Sequence, residues 1–339
     1  MNTRSLRAFL RFASLCTLGT GLSGPVEADT FGTGLNQFTI DFVTIGNPGN
    51  GNSGASPDGG VSYVYRMGVY EISQDQIDKA KAAEVVGLAA LTAGAWTGQR
   101  PAANVTWYEA ALFVNWLNTS QGHQAAYQIN SLATSLTPWS SVQAWQLNGE
   151  NLFRHKDAYY FLPNDDEWYK AAFHKNDGVT ANYWNYATAS NSQPTAVSSG
   201  TAAGTAVYTN DFPFLTGPAG VGESGGLSAY GTRGQNGNVW EWMESAGDRL
   251  NDSGSESRVV RGMGWDFTES SMSRFIREEF APDYAGTGEF FPSIGSDDIG
   301  FRVASVPEPS SAFLLSGTAL GLLLRRRRAS TSFDLSGRL

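Results

Sequence analysis

Gly237-Asn238-Val239-Trp240-Glu241-Trp242 constrains this chain more than any other stretch, because it sets a carboxylate between two indoles directly after a turn. Gly tolerates positive φ freely and Asn better than most residues, so Gly237-Asn238 suits a tight turn. Val-Trp-Glu-Trp then alternates with the period of a strand, placing Val239 and Glu241 on one face and both indoles on the other. Buried indoles need an acceptor for each N–H. A glutamate between them needs water, a basic group or a metal, since burying an unpaired carboxylate is prohibitive. Two readings stay open on chemistry alone: a core strand with a solvated glutamate, or a ligand.

The rest of the chain gives that strand an irregular setting. Thirty-nine glycines among 339 residues exceed the usual share of roughly 7%, so much of the backbone is expected to be loop. Ten tryptophans, 13 tyrosines and 19 phenylalanines supply the core. Residues 38–45 alternate as a strand, 46–60 form a Gly/Asn/Ser/Pro loop, and 61–72 read as a second strand pair. Three helices carry start signals: Ser73 with Gln76 ahead of 77–86, Thr106 with Glu109 opening 106–117, and Asn164 with Glu167 opening 165–174. In the second, Ala110, Phe113, Val114 and Leu117 make an i, i+3, i+4, i+7 stripe, with Gly122 as the stop. Residues 123–158 carry no clear pattern, and 175–235 have long-loop composition. Short strands are expected at 259–261 and 300–304.

Both ends read as processing signals. Residues 1–28 hold Arg4, Arg7 and Arg11, an apolar run over 12–22, and the cleavage site Val26-Glu27-Ala28 before Asp29, the order of a Sec-type signal peptide. At the other end Val306-Pro307-Glu308-Pro309 precedes an apolar run over 310–324 and Arg325 to Arg328, with a tail at 329–339. The apolar run is shorter than the roughly 20 residues of a full span, and the arginines after it read as cytoplasm-facing. Residues 306–328 resemble the PEP-CTERM sorting signal of Gram-negative bacteria. That resemblance implies handling by an exosortase, removal of the tail, and a cell-surface or extracellular-matrix destination. The chain touches membrane only through this tail before processing. Without leader and tail, 15 Lys and Arg face 29 Asp and Glu. Such an acidic surface disfavours nucleic acid, because phosphate binding needs Lys and Arg.

Four segments then occur in fixed order: NVTWYEAALFVNWL from Asn104, FLPNDDEWYKAA from Phe161, GNVWEW from Gly237, and VVRGMGW from Val259 with IGFRVA from Ile299. Together they resemble the formylglycine-generating enzyme, or sulfatase-modifying factor, family over about residues 36–305. The resemblance implies an α+β chain with that family's C-type-lectin-like fold: small twisted antiparallel sheets, two or three helices and many long ordered loops.

Family activity runs through a copper site made by two cysteines, and the matching positions here are Phe267 and Met272. The sole cysteine, Cys16, lies in the leader, so cysteine-dependent formylglycine generation is excluded and no copper is expected. Related branches use iron, but His123, His155 and His174 form no pair at ligand spacing. Asp165, Asp166 and Glu167 read as first-turn residues of a capped helix rather than an acid–base set. The family also binds structural calcium. By resemblance one site would use Asn182, the Tyr183 carbonyl and Asn191, and a second the Gly237 and Val239 carbonyls with Glu241. The family's first side-chain ligand at the second site falls on Gly234, which has none. The function expected is an exported, surface-associated binding or scaffolding module taking a matrix polysaccharide or a surface protein, with Trp139, Trp145 and Tyr186 as candidate stacking surfaces. The alternative is an oxidoreductase holding iron through His155 or His174.

Overall fold

The computed structural model describes residues 25–54, 59–84, 87–92, 94–145, 151–209, 215–268, 272–285 and 298–307. Most of the leader, the apolar run at 310–324 and the tail at 329–339 lie outside them. No helix among the described residues is long and apolar enough to cross a membrane.

Three α-helices form where the cap signals place them. Helices α1 (Gln74–Ala83), α2 (Trp107–Ser120) and α3 (Asp165–Phe173) each start with a complete capping box, from Ser73/Gln76, Thr106/Glu109 and Asn164/Glu167. Each box satisfies two backbone donors that a helix start otherwise leaves open. Helix α1 begins three residues ahead of the expected 77–86 window.

Strands Val26–Phe31, Phe38–Ile45, Tyr65–Gly68, Ala304–Ser305 and Tyr160–Phe161 lie side by side in that order, all antiparallel. Only Tyr65–Gly68 of the expected pair at 61–72 is extended. A second sheet orders Glu278–Phe280, Arg258–Arg261, Trp240–Ala246 and Ile299–Gly300. Its last pairing is parallel, Trp240 opposite Ile299, so the sheets are not uniformly antiparallel. Within 123–158, Gln128–Ile129 pairs with Leu136–Thr137 and Ala144–Trp145 with Asn151–His155, both antiparallel, and a three-residue parallel pair, Thr195–Val197 with Thr205–Val207, crosses the long loop region.

Strand Val26–Phe31 runs through the expected leader boundary. Val26, Glu27 and Ala28 are exposed, whereas Phe31 is buried against Phe38, Trp116 and Tyr160. Asp29 takes two hydrogen bonds from Arg66, at 3.1 and 2.6 Å, and one from Tyr160 Oη at 2.8 Å. A cut after Ala28 therefore removes three exposed residues, with their pairing to Asp41–Val43 and the 3.8 Å Glu27–Arg66 ion pair, and keeps the half that carries the buried contacts.

Helix α2 is buried on nearly every side and joins the two sheets. Phe113 meets Phe38 and Phe301, and Trp107 Nε1 donates to the Met243 carbonyl at 2.8 Å. Trp242, wholly buried, donates to the Val105 carbonyl at 2.7 Å just before α2 begins. The hexapeptide strand is thus clamped to the central helix by indole N–H bonds in both directions.

Candidate functional site

Gly237 and Asn238 both take positive φ, 82° and 68°. A Cβ on Gly237 would run into the Val207 carbonyl, so no other residue fits there. The Asn238 carboxamide accepts from Ala219 N at 2.8 Å and donates to Glu71 Oε1 at 2.9 Å. This turn delivers Glu241 into the interior, where it is 0% exposed. The reading with a solvated glutamate is therefore overturned.

Glu241 is held by a basic group. Arg302, in the strand-like segment after Ile299–Gly300, donates Nε to Glu241 Oε2 and Nη2 to Oε1, each at 2.5 Å. Trp168 Nε1, from α3, donates to Oε2 at 2.6 Å. The remaining guanidinium hydrogens reach the carbonyls of Gly68, Val69 and Arg233 at 3.0, 3.2 and 2.9 Å. All five donors of the guanidinium fork are used. A fully buried cation thus sits in a cage of one carboxylate and three carbonyls, satisfying the condition that a buried ion pair also be hydrogen-bonded.

Glu71, missed by sequence reasoning, lies beside this cluster: its Oε1 accepts from Asn238, and its buried Oε2 has no hydrogen-bond partner among the described residues. Gly234 has φ +78°, and a Cβ there would collide with both Glu71 carboxylate oxygens. Burial pushes the Glu71 carboxyl up to about 7, against the pull of Arg302. These residues do not fit the calcium site that the resemblance implies at Gly237, Val239 and Glu241. Calcium wants six to eight oxygens. The place of the side-chain donor at Gly234 is filled by Glu71, and both Glu241 oxygens are already bound to Arg302 and Trp168.

The other implied site lies on the loop after α3. Asn182 is exposed, its Nδ2 donating to Asp177 at 2.9 Å and its carbonyl accepting from Lys175 N at 3.0 Å. Asn191 Oδ1 accepts from Asn185 N at 3.2 Å. Tyr183 is buried and ties its hydroxyl to the Gly51 and Gly59 carbonyls at 2.7 and 2.8 Å. Asn182 and Asn191 are each bound within their own turns.

At the positions matching the family's cysteines the surroundings are apolar. Phe267 packs edge-on to Trp240 at 5.7 Å, and Met272, 2% exposed, belongs to the main core. Phe267 offers no donor atom, and the Met272 thioether can bind Cu(I) but cannot replace a thiolate that must also relay electrons. Beside them Trp265 Nε1 and Asp266 Oδ1 have no hydrogen-bond partner among the described residues, and burial raises the Asp266 carboxyl to about 6. Nothing in the sequence pattern around Asp266 signals this.

The histidines have separate engagements. His174 Nδ1 faces Tyr230 Oη at 3.1 Å and its Nε2 the Thr180 carbonyl at 3.2 Å, His155 packs on Trp139, and His123 stacks on Tyr159. Burial lowers the pKa of both His174 and His155. Among the described residues no group of three or more His, Cys, Asp and Glu side chains is placed to hold a metal. Asp165 and Glu167 serve structure: Asp165 binds Arg261 and Arg277, and Glu167 closes the α3 capping box.

One antiparallel and one mixed sheet around a buried helix, with ordered loops pinned by indoles and a caged arginine, define a C-type-lectin-like α+β domain of the formylglycine-generating type. The chain belongs to that family: the sulfatase-modifying factor enzyme 1-like domain matches residues 65–306, and the PEP-CTERM protein-sorting motif matches 305–328. The second match marks the chain for exosortase-type sorting and export to the cell envelope or surface. In structure it is similar to Treponema denticola variable protein 1, with TM-score 0.52, 20% identity, and coverage of 83% of this chain and 99% of that one. It is also similar to CarF, with TM-score 0.48, 19% identity and coverage of 84% and 97%. For PvdO from Pseudomonas aeruginosa the values are 0.47, 16%, 82% and 98%. No curated protein matches the chain in sequence.

Proposed function

We propose that this chain is an exported binding module that keeps the family scaffold without its oxidase centre. The observation that carries this reading is the packing at the two family cysteine positions. Met272 fills one as part of the core and Phe267 the other as a half-buried ring packed against that core, with no thiolate to bind copper or relay electrons. Loops on a rigid scaffold are where binding residues gather, and here the loops are long and pinned. The PEP-CTERM tag directs attention to partners outside the cell, and the acidic surface to partners other than polyanions. A matrix polysaccharide or a surface protein fits both. For structural calcium, the exposed Asn182 supports the Asn182–Tyr183–Asn191 loop over the turn at Glu241, whose carboxylate oxygens accept from Arg302 and Trp168. Co-sedimentation of the mature chain with cell-free extracellular matrix tests the reading. Saturable retention is expected; retention of neither polymer nor surface protein overturns it.

A further inference from the structure

A cavity of about 180 Å³ opens between the Gly60–Tyr63 loop, the start of α3 and the end of the hexapeptide strand. At roughly 30 Å³ per water it holds about six waters, the size of a single small ring. One wall is aromatic. Trp145 and Tyr63 meet edge to face at 5.6 Å, and Trp145 is half-buried. The opposite wall is polar, built from Asn151, Asn164, Asp165, Asp166, Glu244, Ser245 and Arg249, with Asp166 Oδ1 accepting from Gly59 N at 2.7 Å.

The charges of that wall are compensated from behind. Asp165 is bound by Arg261 and Arg277. Glu244 Oε1 takes Asn151 Nδ2 at 2.8 Å and lies 3.3 Å from Arg154 Nε, while its Oε2 takes Tyr127 Oη at 3.0 Å. Arg154, 1% exposed, is sandwiched between Trp145 and Phe161 at 4.3 and 4.1 Å. Its three guanidinium nitrogens make no hydrogen bond among the described residues, though two face carboxylates. A group this costly to bury fixes the indole and the carboxylate at once.

Donors remain for a guest. Asn164 spends its oxygen on the α3 cap, which leaves its NH2 without a partner among the described residues, and Ser245 Oγ accepts from Asp165 N at 2.9 Å while keeping its own proton. A wall dense in hydrogen-bonding groups yet nearly neutral suits neither a phosphate nor a free cation. It suits an uncharged polyhydroxyl ring, hydroxyls toward the amides and serine and an apolar edge toward the aromatic wall.

We propose that this cavity binds one neutral sugar ring of an extracellular polysaccharide, a reading that rests on the binding-module assignment and names its ligand class. The test is saturation-transfer NMR on the purified mature chain with glucose, galactose, mannose and N-acetylglucosamine. At least one sugar should give transfer, weakened about tenfold or more in Trp145→Ala. Leu250→Trp, at an exposed position on the rim, should weaken it equally without touching the core. No transfer from any of the four, or transfer unchanged in Leu250→Trp, overturns the proposal. If matrix retention nevertheless persists in both variants, the module binds by another surface and only the cavity assignment falls. If a sugar binds but no matrix is retained, the cavity assignment stands and the matrix partner falls.

Discussion

Glu241 illustrates how far single residues speak. Its position between two indoles announces that it needs water, a basic group or a metal, and that demand is legible. Which of the three answers it is not, because the partner lies 61 residues further on, and nothing local to the 300–304 segment pairs Arg302 with Glu241. The same holds for Glu71, whose carboxylate accounts for Gly234, and for Arg154 and Glu244: no local signal joins residues that only the fold brings together. The caged pair makes two predictions. Arg302→Ala strands a buried carboxylate and should lower unfolding free energy in urea by about 3–5 kcal/mol. Arg302→Lys should recover only part of it, since an ammonium cannot make the two-oxygen fork. A loss under about 1 kcal/mol for Arg302→Ala would show the pair to be dispensable. Any calcium-dependent rise in Tm should be the same in Glu241→Gln as in the parent; a rise lost in that variant would restore Glu241 as a ligand.

Helices were the legible elements, for a physical reason. A capping box and a 3.6-residue apolar stripe are local, so Ser73/Gln76, Thr106/Glu109 and Asn164/Glu167 announce their helix starts without knowledge of the fold. Strands of two or three residues, such as Ile299–Gly300, carry no such periodicity and are defined by their partners. Removing the α3 cap with Asn164→Ala should cost about 1 kcal/mol in thermal or urea unfolding. The first strand gives a sharper test, because the side chains before Asp29 are exposed while Asp29 and Phe31 make the buried contacts. Mass spectrometry of the exported protein should find Asp29 at the N-terminus. A chain begun at Asp29 should unfold within about 1 kcal/mol of one begun at Val26. A chain begun at Gly32 should be distinctly weaker, having lost the Asp29–Arg66 pair and the buried Phe31.

The molecule as a whole stores carboxyls in its interior, and this sets its pH response. Burial pushes the Glu244 carboxyl up to about 7, with Arg154 pulling it down and Glu167 raising it further; Arg258 and Tyr127 also face it. A carboxyl whose pKa is higher in the folded chain than in the unfolded one favours folding when protonated. Its contribution is full below the unfolded value near 4.5 and is lost as pH rises through about 7. Glu244 therefore contributes a fall in Tm between pH 5 and 8, opposed in the same range by His155 and His174, whose lowered values favour folding as pH rises; Glu244→Gln should remove its share and shift the slope upward, and an equal slope in the variant would place the effect elsewhere. The proposal that this chain lacks the family's oxidase centre turns on Phe267 and Met272, the positions that the resemblance sets against the reactive cysteines and that carry apolar side chains here. Elemental analysis of the mature protein, isolated without chelators, tests that proposal most directly. Less than a tenth of an equivalent of copper or iron per chain is expected for a binding module, while a full equivalent of either would mean that an oxidase centre persists in this chain.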